Sequence, residues 1–90
     1  MRDHLQFSEH ALDRMLDWDL DVGEIKAALD NGEIIEEYED GSRLVLGRSG
    51  VRPLHMVIRE DDMTETIFII TVYEPDPGRW DAAFRERRRP

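Results

Sequence analysis

The spacing of apolar residues changes from a helical period to a strand period at Gly32, and this change constrains the fold more than any other feature of the sequence. Before Gly32, two apolar stripes at helical spacing lie within residues 8–30. After it, short segments rich in β-branched and aromatic residues alternate with turn sequences. Helices and strands in separate parts of a chain are typical of the α+β class.

Both predicted helices have clear start signals. Ser8 and Asp21 are candidate N-caps, and Glu24 stands three residues after Asp21, where a capping box needs it. Asn31-Gly32 predicts a left-handed stop after the second helix. The apolar stripes consist of Ala11, Leu12, Met15 and Leu16 in the first helix, and of Val22, Ile25, Ala28 and Leu29 in the second.

Four strands are predicted after the helices. Their sequences are EIIEEY (33–38), RLVLGR (43–48), PLHMVIR (53–59) and TIFIITVY (66–73). The last is the longest and most apolar, so we expect it at the centre of the sheet. The predicted fold is α+β, with an N-terminal helical hairpin packed on one face of a four-stranded, mostly antiparallel sheet.

Length and composition limit the classes of protein to which the chain can belong. Ninety residues, 40% of them hydrophobic, suffice for a single domain spanning 1–90. The longest apolar run, Ile67–Ile70, is too short to cross a bilayer, and the first residues lack the apolar region of a signal peptide. The absence of cysteine excludes disulfides and thiolate metal sites. We therefore expect a cytoplasmic protein that needs no metal or cofactor.

The charge is unevenly distributed along the chain. The formal net charge is −9, with −12 on residues 1–77 and +3 on residues 78–90. An acidic body disfavours general binding to polyanions, whereas a local arginine cluster can still hold phosphate groups. The same distribution suits docking onto a basic protein. We expect residues 81–90 to form a frayed basic tail.

Strand alternation assigns side chains to the two faces of the predicted sheet. The first face, under the helices, is expected to hold Leu44, Leu46, Leu54, Met56, Ile58, Phe68, Ile70 and Val72. The second face is expected to hold Arg43, His55, Arg59, Thr71 and Tyr73, with Val45, Val57, Ile67 and Ile69 beside them. This mixed surface calls for a cover. The candidates are a last helical turn carrying Trp80 and Phe84, a partner chain, or a ligand.

The polar residues match the needs of a metal-free ribonuclease. RNA carries its own nucleophile, the 2′-hydroxyl, so the protein must supply an acid, a base and cations. The candidate catalytic residues are His10, His55 and Tyr73, and the candidate phosphate-binding residues are Arg14, Arg43 and Arg59. Structural roles compete with each assignment: His55 also suits a half-buried strand position, and Tyr73 suits a strand end. Arg14 also suits an ion pair with Asp13 or Asp17.

Other kinds of active site have weaker support in the sequence. The histidines lack the spacing of a zinc site, and no acidic ligand set has calcium-loop spacing. Ser8 is better explained as a helix cap than as a nucleophile, and no nucleophile elbow is present. The segment GRSG is a turn and not a phosphate-binding loop.

Four segments in order, FSEHALDRM, VGEIKAALDNGEIIEEY, PLHMVI and IITVYEPDPGRW, resemble the bacterial domain-of-unknown-function family 4258 from about Phe7 to Trp80. Some proteins of this kind resemble the toxin half of toxin–antitoxin pairs, beside zinc-finger antitoxins. The layout is also similar to the RelE/ParE toxin superfamily. The positions that match the family pattern are His10, Arg14, His55, Thr71, Tyr73 and Glu74.

Two functions of different class remain open. The first is a metal-independent endoribonuclease toxin that acts on RNA and is held by a cognate antitoxin, which the resemblance implies can be of the zinc-finger type. The second is a non-catalytic protein-interaction module, or an antitoxin-like partner of the same fold, with a homodimer as one form. Inhibition of DNA gyrase, as in the ParE branch, also stays open.

Overall fold

The computed structural model describes residues 4–88, which form two helices and one mixed five-stranded sheet. The elements are β1 (His4–Phe7), α1 (Glu9–Asp17), α2 (Val22–Asp30), β2 (Glu33–Glu37), β3 (Arg43–Ser49), β4 (Arg52–Asp61) and β5 (Thr66–Tyr73). The strand order is β1-β5-β4-β3-β2, in which β1 and β5 pair in parallel and the other neighbours are antiparallel. Neither helix in this part of the chain is long and apolar enough to cross a membrane.

The prediction of four strands was wrong because it missed β1. Four residues are too few to show an alternating pattern, and the pairing partner, β5, lies far along the chain. The extra strand gives β5 a neighbour on each side, but the central strand is β4, which is also the longest. The prediction that TIFIITVY is central and longest was therefore also wrong.

The predicted helix starts are confirmed. The Ser8 hydroxyl accepts a hydrogen bond from the Ala11 amide (2.9 Å) and donates one to the Ile70 carbonyl (2.6 Å), so the cap also joins α1 to β5. Asp21 and Glu24 form the predicted capping box, with the Glu24 amide 2.8 Å from the Asp21 carboxylate.

The predicted left-handed stop after α2 was wrong. Asn31 has φ −99°, and the glycines with positive φ among the described residues are Gly41 and Gly50. The helix instead ends through the Asn31 side chain, whose amide nitrogen donates to the Ala27 and Arg48 carbonyls at 2.9 and 2.8 Å. Its amide oxygen accepts from the Arg48 backbone at 2.8 Å. The end of α2 is thereby attached to β3.

Each helix packs on its own part of the sheet, α1 on β1 and β5, and α2 on β3. The buried core between the layers contains Ala11, Met15, Leu20, Ile25, Ala28, Val45, Leu54, Met56, Ile58, Ile69 and Val72. The α1 stripe is narrower than predicted, because Leu12 and Leu16 are 47% and 80% exposed. Helix α2 lies so close to β3 at Gly47 that only glycine fits at this position. A Cβ on Gly47 would lie 1.9 Å from the Ala28 carbonyl oxygen.

The predicted faces of β3 were inverted. Leu46 lies directly opposite His55 and Leu44 opposite Val57, so both leucines are on the second face, away from the helices. Val45 lies opposite Met56, in the core beneath the helices. Because β3 is apolar on both faces, its alternation alone does not show which face meets the helices.

A β-bulge reverses the predicted faces in the first half of β5. Thr71 pairs with Val57, whereas Ile69 pairs with Ile58, so Ile70 is the extra residue. Ile69 therefore joins the core under the helices, with Ile67 packed against that core. Phe68 lies opposite Arg59 on the second face. The predicted placement of these three β5 residues was wrong for this reason.

The end of the described chain is ordered against the sheet and contains no helix. We call Trp80–Arg88 the C-terminal segment. Trp80 and Arg87 form an isolated antiparallel bridge, and the Arg88 amide donates to the Arg79 carbonyl at 2.8 Å. Phe84 adopts a left-handed conformation, with φ 61°. These contacts differ from the predicted helical turn and, as far as residue 88, from the predicted frayed tail.

Candidate functional site

The C-terminal segment covers the second face of the sheet above His55. Trp80 is 3% exposed, and its indole meets the His55 ring edge-on, with 4.4 Å between the ring centroids. His55 is itself fully buried. The sequence left three candidates for covering the second face: the C-terminal segment, a partner chain or a ligand. In the structure, the chain's own C-terminal segment covers it. The residues in and around this contact, called the His55 cluster below, are Glu36, His55, Tyr73, Trp80, Phe84 and Arg87.

Both ring nitrogens of His55 lie within hydrogen-bond distance of a partner. Nε2 lies 2.8 Å from the Phe84 carbonyl oxygen, which can only accept, so Nε2 carries the proton. Nδ1 lies 3.3 Å from the Tyr73 hydroxyl. In the neutral imidazole Nδ1 is the acceptor, and the phenol donates to it. His55 thus connects β5 to the C-terminal segment.

Burial keeps both members of this pair uncharged. Desolvation lowers the pKa of His55, and Arg87 adds to the shift, while the Phe84 carbonyl and Glu36 oppose it. Desolvation likewise raises the pKa of the Tyr73 phenol. A neutral imidazole that accepts from a phenol is a potential general base. Here it has no open path to a substrate, since the ring is fully buried and both nitrogens are occupied.

Glu36 and Arg87 form the polar edge of the cluster. The Arg87 Nε and Nη2 atoms donate to the two Glu36 carboxylate oxygens at 3.0 and 3.1 Å, and the guanidinium lies 4.7 Å from the Trp80 ring centroid. The Tyr38 hydroxyl donates to Glu36 at 2.6 Å. Burial raises the pKa of Glu36, but the hydrogen bonds from Arg87 and Tyr38 outweigh it and leave the pKa lowered. A second ion pair joins Arg85 to Glu33 of β2.

Asp81 shapes the loop that carries Phe84. Its carboxylate accepts hydrogen bonds from the Ala83 and Arg85 amides at 3.2 and 3.0 Å. These and other backbone amides, with Arg85 contributing most, lower the pKa of Asp81. The Phe84 amide donates to the Asp81 carbonyl at 2.9 Å. The loop thereby presents the Phe84 carbonyl to His55.

The predicted catalytic residues do not all share one site. His55 and Tyr73 lie together on the second face, with ring centroids 5.4 Å apart. His10 is exposed on α1, on the opposite side of the sheet. The structure therefore brings together two of the three residues and separates the third from them.

The predicted phosphate-binding arginines are dispersed, and each contacts a carboxylate. Arg14 on α1 lies 2.6 Å from Asp17. Arg59 is on the second face, but it points to the loop before β3, where it lies 3.3 Å from Asp40. The expectation that Arg43 lies on the second face was wrong: it pairs with Ile58 across the strands and contacts Glu60 at 3.6 Å on the helix side.

One polar connection beside the cluster was missed entirely. Arg52, at the start of β4, contacts the carboxylates of Glu74 at 2.8 Å and Glu24 at 3.7 Å, and also donates to the Trp18 carbonyl. Arg52 thereby connects the end of α1 and the first turn of α2 to the start of β4 and the end of β5. The sequence offers no signal for it, since its partners are about 20 to 35 residues away along the chain.

Beside this connection, a cleft of about 370 Å³ opens at the rim of the His55 cluster. It is lined by Trp18, Tyr73, Glu74, Asp76, Arg79, Trp80 and Arg87. Its acidic and basic side chains are balanced in number. Within residues 4–88, no group of three or more histidine or carboxylate side chains is arranged to hold a metal ion.

Acidic pH is expected to destabilise the fold through His55. Burial lowers the pKa of His55 in the folded protein. As the pH falls, the unfolded chain therefore binds a proton at His55 at a higher pH than the folded protein does. The contribution of neutral His55 to the free energy of unfolding is therefore fully present above the pKa of His55 in the unfolded chain, about 6.5. This contribution decreases as the pH falls from there toward the lower pKa of His55 in the folded protein.

Urea denaturation at pH 7.5 and pH 5.5 measures this loss. The variant His55→Gln keeps a donor for the Phe84 carbonyl but does not titrate. It should show a smaller difference between the two pH values than the wild type. An equal difference in both proteins would mean that His55 is not the group responsible.

The sequence of this chain matches a known family over most of its length. Residues 7–74 match the family described as a domain of unknown function (DUF4258). Neither the curated proteins nor the solved structures yield a match. The matched region contains both helices, His55 and Tyr73, and it ends at Glu74, before the C-terminal segment. Because the match covers most of the chain, the protein belongs to the DUF4258 family.

Proposed function

We propose that this protein acts by binding another protein and is a non-catalytic interaction module, or an antitoxin-like partner, of a toxin–antitoxin pair. The observation that carries the proposal is the state of His55. A general base must reach the proton that it removes. His55 is fully buried, and its two nitrogens lie against Phe84 and Tyr73.

The charges support binding to a basic protein over binding to RNA. Arg14, Arg43 and Arg59, the candidates for holding phosphate, each contact a carboxylate. These pairs are partly exposed and individually weak, yet they reduce the positive potential that a phosphate would meet. The net charge of −9 repels RNA and attracts a basic protein surface.

The outer surface of α1 offers one contact area for such a partner. Leu12 and Leu16 are exposed one helical turn apart, and Glu9, Asp13 and Asp17 are exposed beside them. An apolar pair with acidic neighbours suits a partner surface that is apolar with a basic rim. The partner can be the cognate protein of the pair, including one with a zinc-finger domain, or a second copy in a homodimer.

A second candidate is an RNA-cleaving toxin of the RelE/ParE kind, held inactive by its antitoxin. The specific observation in its favour is the contact between His55 and Tyr73 on one sheet face, which also carries Arg59. In this candidate, the C-terminal segment must leave the face before RNA can enter. His55 would then remove the 2′-hydroxyl proton while the 2′-oxygen attacks phosphorus, Tyr73 would protonate the 5′-oxygen that leaves, and Arg59 would stabilise the phosphate.

An RNA digestion separates the two candidates. Purified protein is incubated with a labelled single-stranded RNA in the presence of EDTA, and His55→Gln and Tyr73→Phe are the matched variants. We expect no cleavage by any of the three proteins and no growth arrest when the wild type is expressed. Cleavage by the wild type that both variants lose would overturn the binding proposal in favour of the toxin.

Co-expression with the product of the adjacent reading frame tests the binding function itself. We expect the two proteins to co-elute as a stable complex in size-exclusion chromatography. Reversing the charge of the α1 surface with Asp13→Lys and Asp17→Lys should weaken that complex, because both side chains are exposed beside Leu16. A complex that forms equally well with the double variant would exclude this surface.

A further inference from the structure

We infer that the second face over β2, β3 and β4 is a binding site for a basic peptide segment with an aromatic anchor, that the C-terminal segment fills it as an internal ligand, and that a basic segment of a partner can displace it. This inference rests on the proposed binding function and names the chemistry of the partner. It does not depend on which protein of a pair the chain represents.

The acidic half of the site is built by a β-bulge. Glu33 and Glu36 are three positions apart, a spacing that would place them on opposite faces of a regular strand. The register of β2 shifts between Ile34 and Glu36, so Glu33 lies opposite Leu46 and Glu36 opposite Leu44. Both carboxylates thus lie on the second face.

These two carboxylates bind alternate residues of the C-terminal segment. Arg85 pairs with Glu33, and Arg87 pairs with Glu36 through two hydrogen bonds. Two-pronged pairing of this kind selects guanidinium over ammonium, because only the guanidinium presents two parallel donors. The site therefore favours basic residues at two alternate positions, with arginine at the second.

The apolar half of the site recognises an aromatic ring and a main-chain carbonyl. Trp80 is buried against the His55 ring, and Nε2 of His55 donates to the Phe84 carbonyl. A peptide from another protein can supply both groups, since neither contact depends on covalent continuity with the sheet. The ligand is therefore a peptide with an aromatic side chain a few residues before these two basic positions.

The C-terminal segment is attached in a way that permits exchange. The backbone hydrogen bonds found for the described segment run within residues 76–88, and its hydrogen bonds to the sheet use side chains of the sheet or of the segment. The side chains of Arg85 and Arg87 are 51% and 62% exposed, so salt screens these pairs. Pro75, Pro77 and Gly78 separate the segment from β5.

The test uses the full chain and a fluorescent peptide with the sequence of residues 78–90. In the wild type, the tethered segment competes at a high effective concentration. The variant Trp80→Ala/Arg85→Glu/Arg87→Glu, called the opened variant, should lose its own contacts to His55 and β2 and expose the site. Fluorescence anisotropy should then show peptide binding to this variant at least about tenfold tighter than to the wild type, and weaker at high salt.

Matched variants make the result specific. Adding Glu33→Gln and Glu36→Gln to the opened variant should abolish the gain, and a peptide with glutamate in place of Arg85 and Arg87 should not bind. Circular dichroism checks that each variant is folded. If the opened variant unfolds, the wild type is titrated with the peptide instead. A change in the His55 ring resonances then reports binding of the peptide to the site.

Two results would overturn the inference. One is a folded, opened variant that does not bind the peptide, or a wild type whose His55 resonances do not respond to it. The other is a wild-type dimer that exchanges C-terminal segments and excludes the peptide, since the occupant would then be a second copy. Either result leaves the RNA digestion unaffected, so failure here is distinct from failure of the proposed function.

Discussion

Replacing Gly47 with alanine is expected to lower the free energy of unfolding by about 3 kcal/mol or more. The new methyl group would lie 1.9 Å from the Ala28 carbonyl oxygen and 2.6 Å from its carbonyl carbon. Both atoms belong to the backbone of α2, so no side-chain rotation relieves the clash, and the helix must move away from β3. Urea denaturation followed by circular dichroism measures the loss.

Gly50→Asn provides the control for this substitution. A Cβ at Gly50 meets nothing within 4 Å, and asparagine tolerates the left-handed conformation of this residue, which has φ 62°. We expect a loss of less than about 1 kcal/mol for this variant. A Gly47→Ala protein as stable as Gly50→Asn would contradict the close contact between α2 and β3.

Truncating Trp80 to alanine is expected to cost about 3 kcal/mol, because a nearly fully buried indole is lost. The change also removes the ring that lies against His55 and the surface on which Arg87 rests. We therefore expect the C-terminal segment to detach and its amides to lose protection from hydrogen exchange, while α1 and α2 stay protected.

Leu16→Ala is the matched truncation at an exposed site. The Leu16 side chain is 80% exposed, so its loss should change the stability by no more than about 0.5 kcal/mol. If Trp80→Ala were as mild as Leu16→Ala, the C-terminal segment would not be part of the folded structure. The second face would then be open to solvent.

The features that the sequence predicts well are those set by residues close together in the chain. Ser8, Asp21 and Glu24 lie within four residues of the groups that they cap, and both helix starts are as predicted. The bounds of β5 also match the apolar run from Thr66 to Tyr73. In the two caps the stabilising contact is local, and in β5 the apolar composition itself marks the strand, so a short window of sequence contains the signal in each case.

The features that the sequence does not reveal depend on pairing between distant strands. β1 is stabilised by parallel pairing with β5, and the bulge at Ile70 becomes visible only when β5 is aligned with β4. Alternation correctly relates His55 to Tyr73, since the register is regular between them. It fails for Ile69 because the bulge lies between Ile69 and Thr71.

The candidate site shows the same division between features set by neighbouring residues and features set by distant ones. The charge run in residues 85–89 reads as a solvated tail because the carboxylates that receive Arg85 and Arg87 lie about 50 residues earlier, on a bulged strand. An acidic strand and a basic terminus of opposite charge are visible in the sequence, but their pairing is not. Arg43 and Arg59, which the sequence offered for RNA, likewise pair with carboxylates distant in the chain. Arg14 instead forms the local ion pair with Asp17 that the sequence allowed as its alternative role.

The protonation state of His55 tests the central claim, that the C-terminal segment closes the second face, most directly. Nitrogen-15 spectra of the imidazole rings at pH 7 report which nitrogen carries the proton and how fast that proton exchanges with water. We expect a neutral His55 ring, protonated at Nε2, with a slowly exchanging proton. A His55 ring that averages both tautomers and exchanges rapidly would contradict the claim, because that ring would be open to solvent and to substrate.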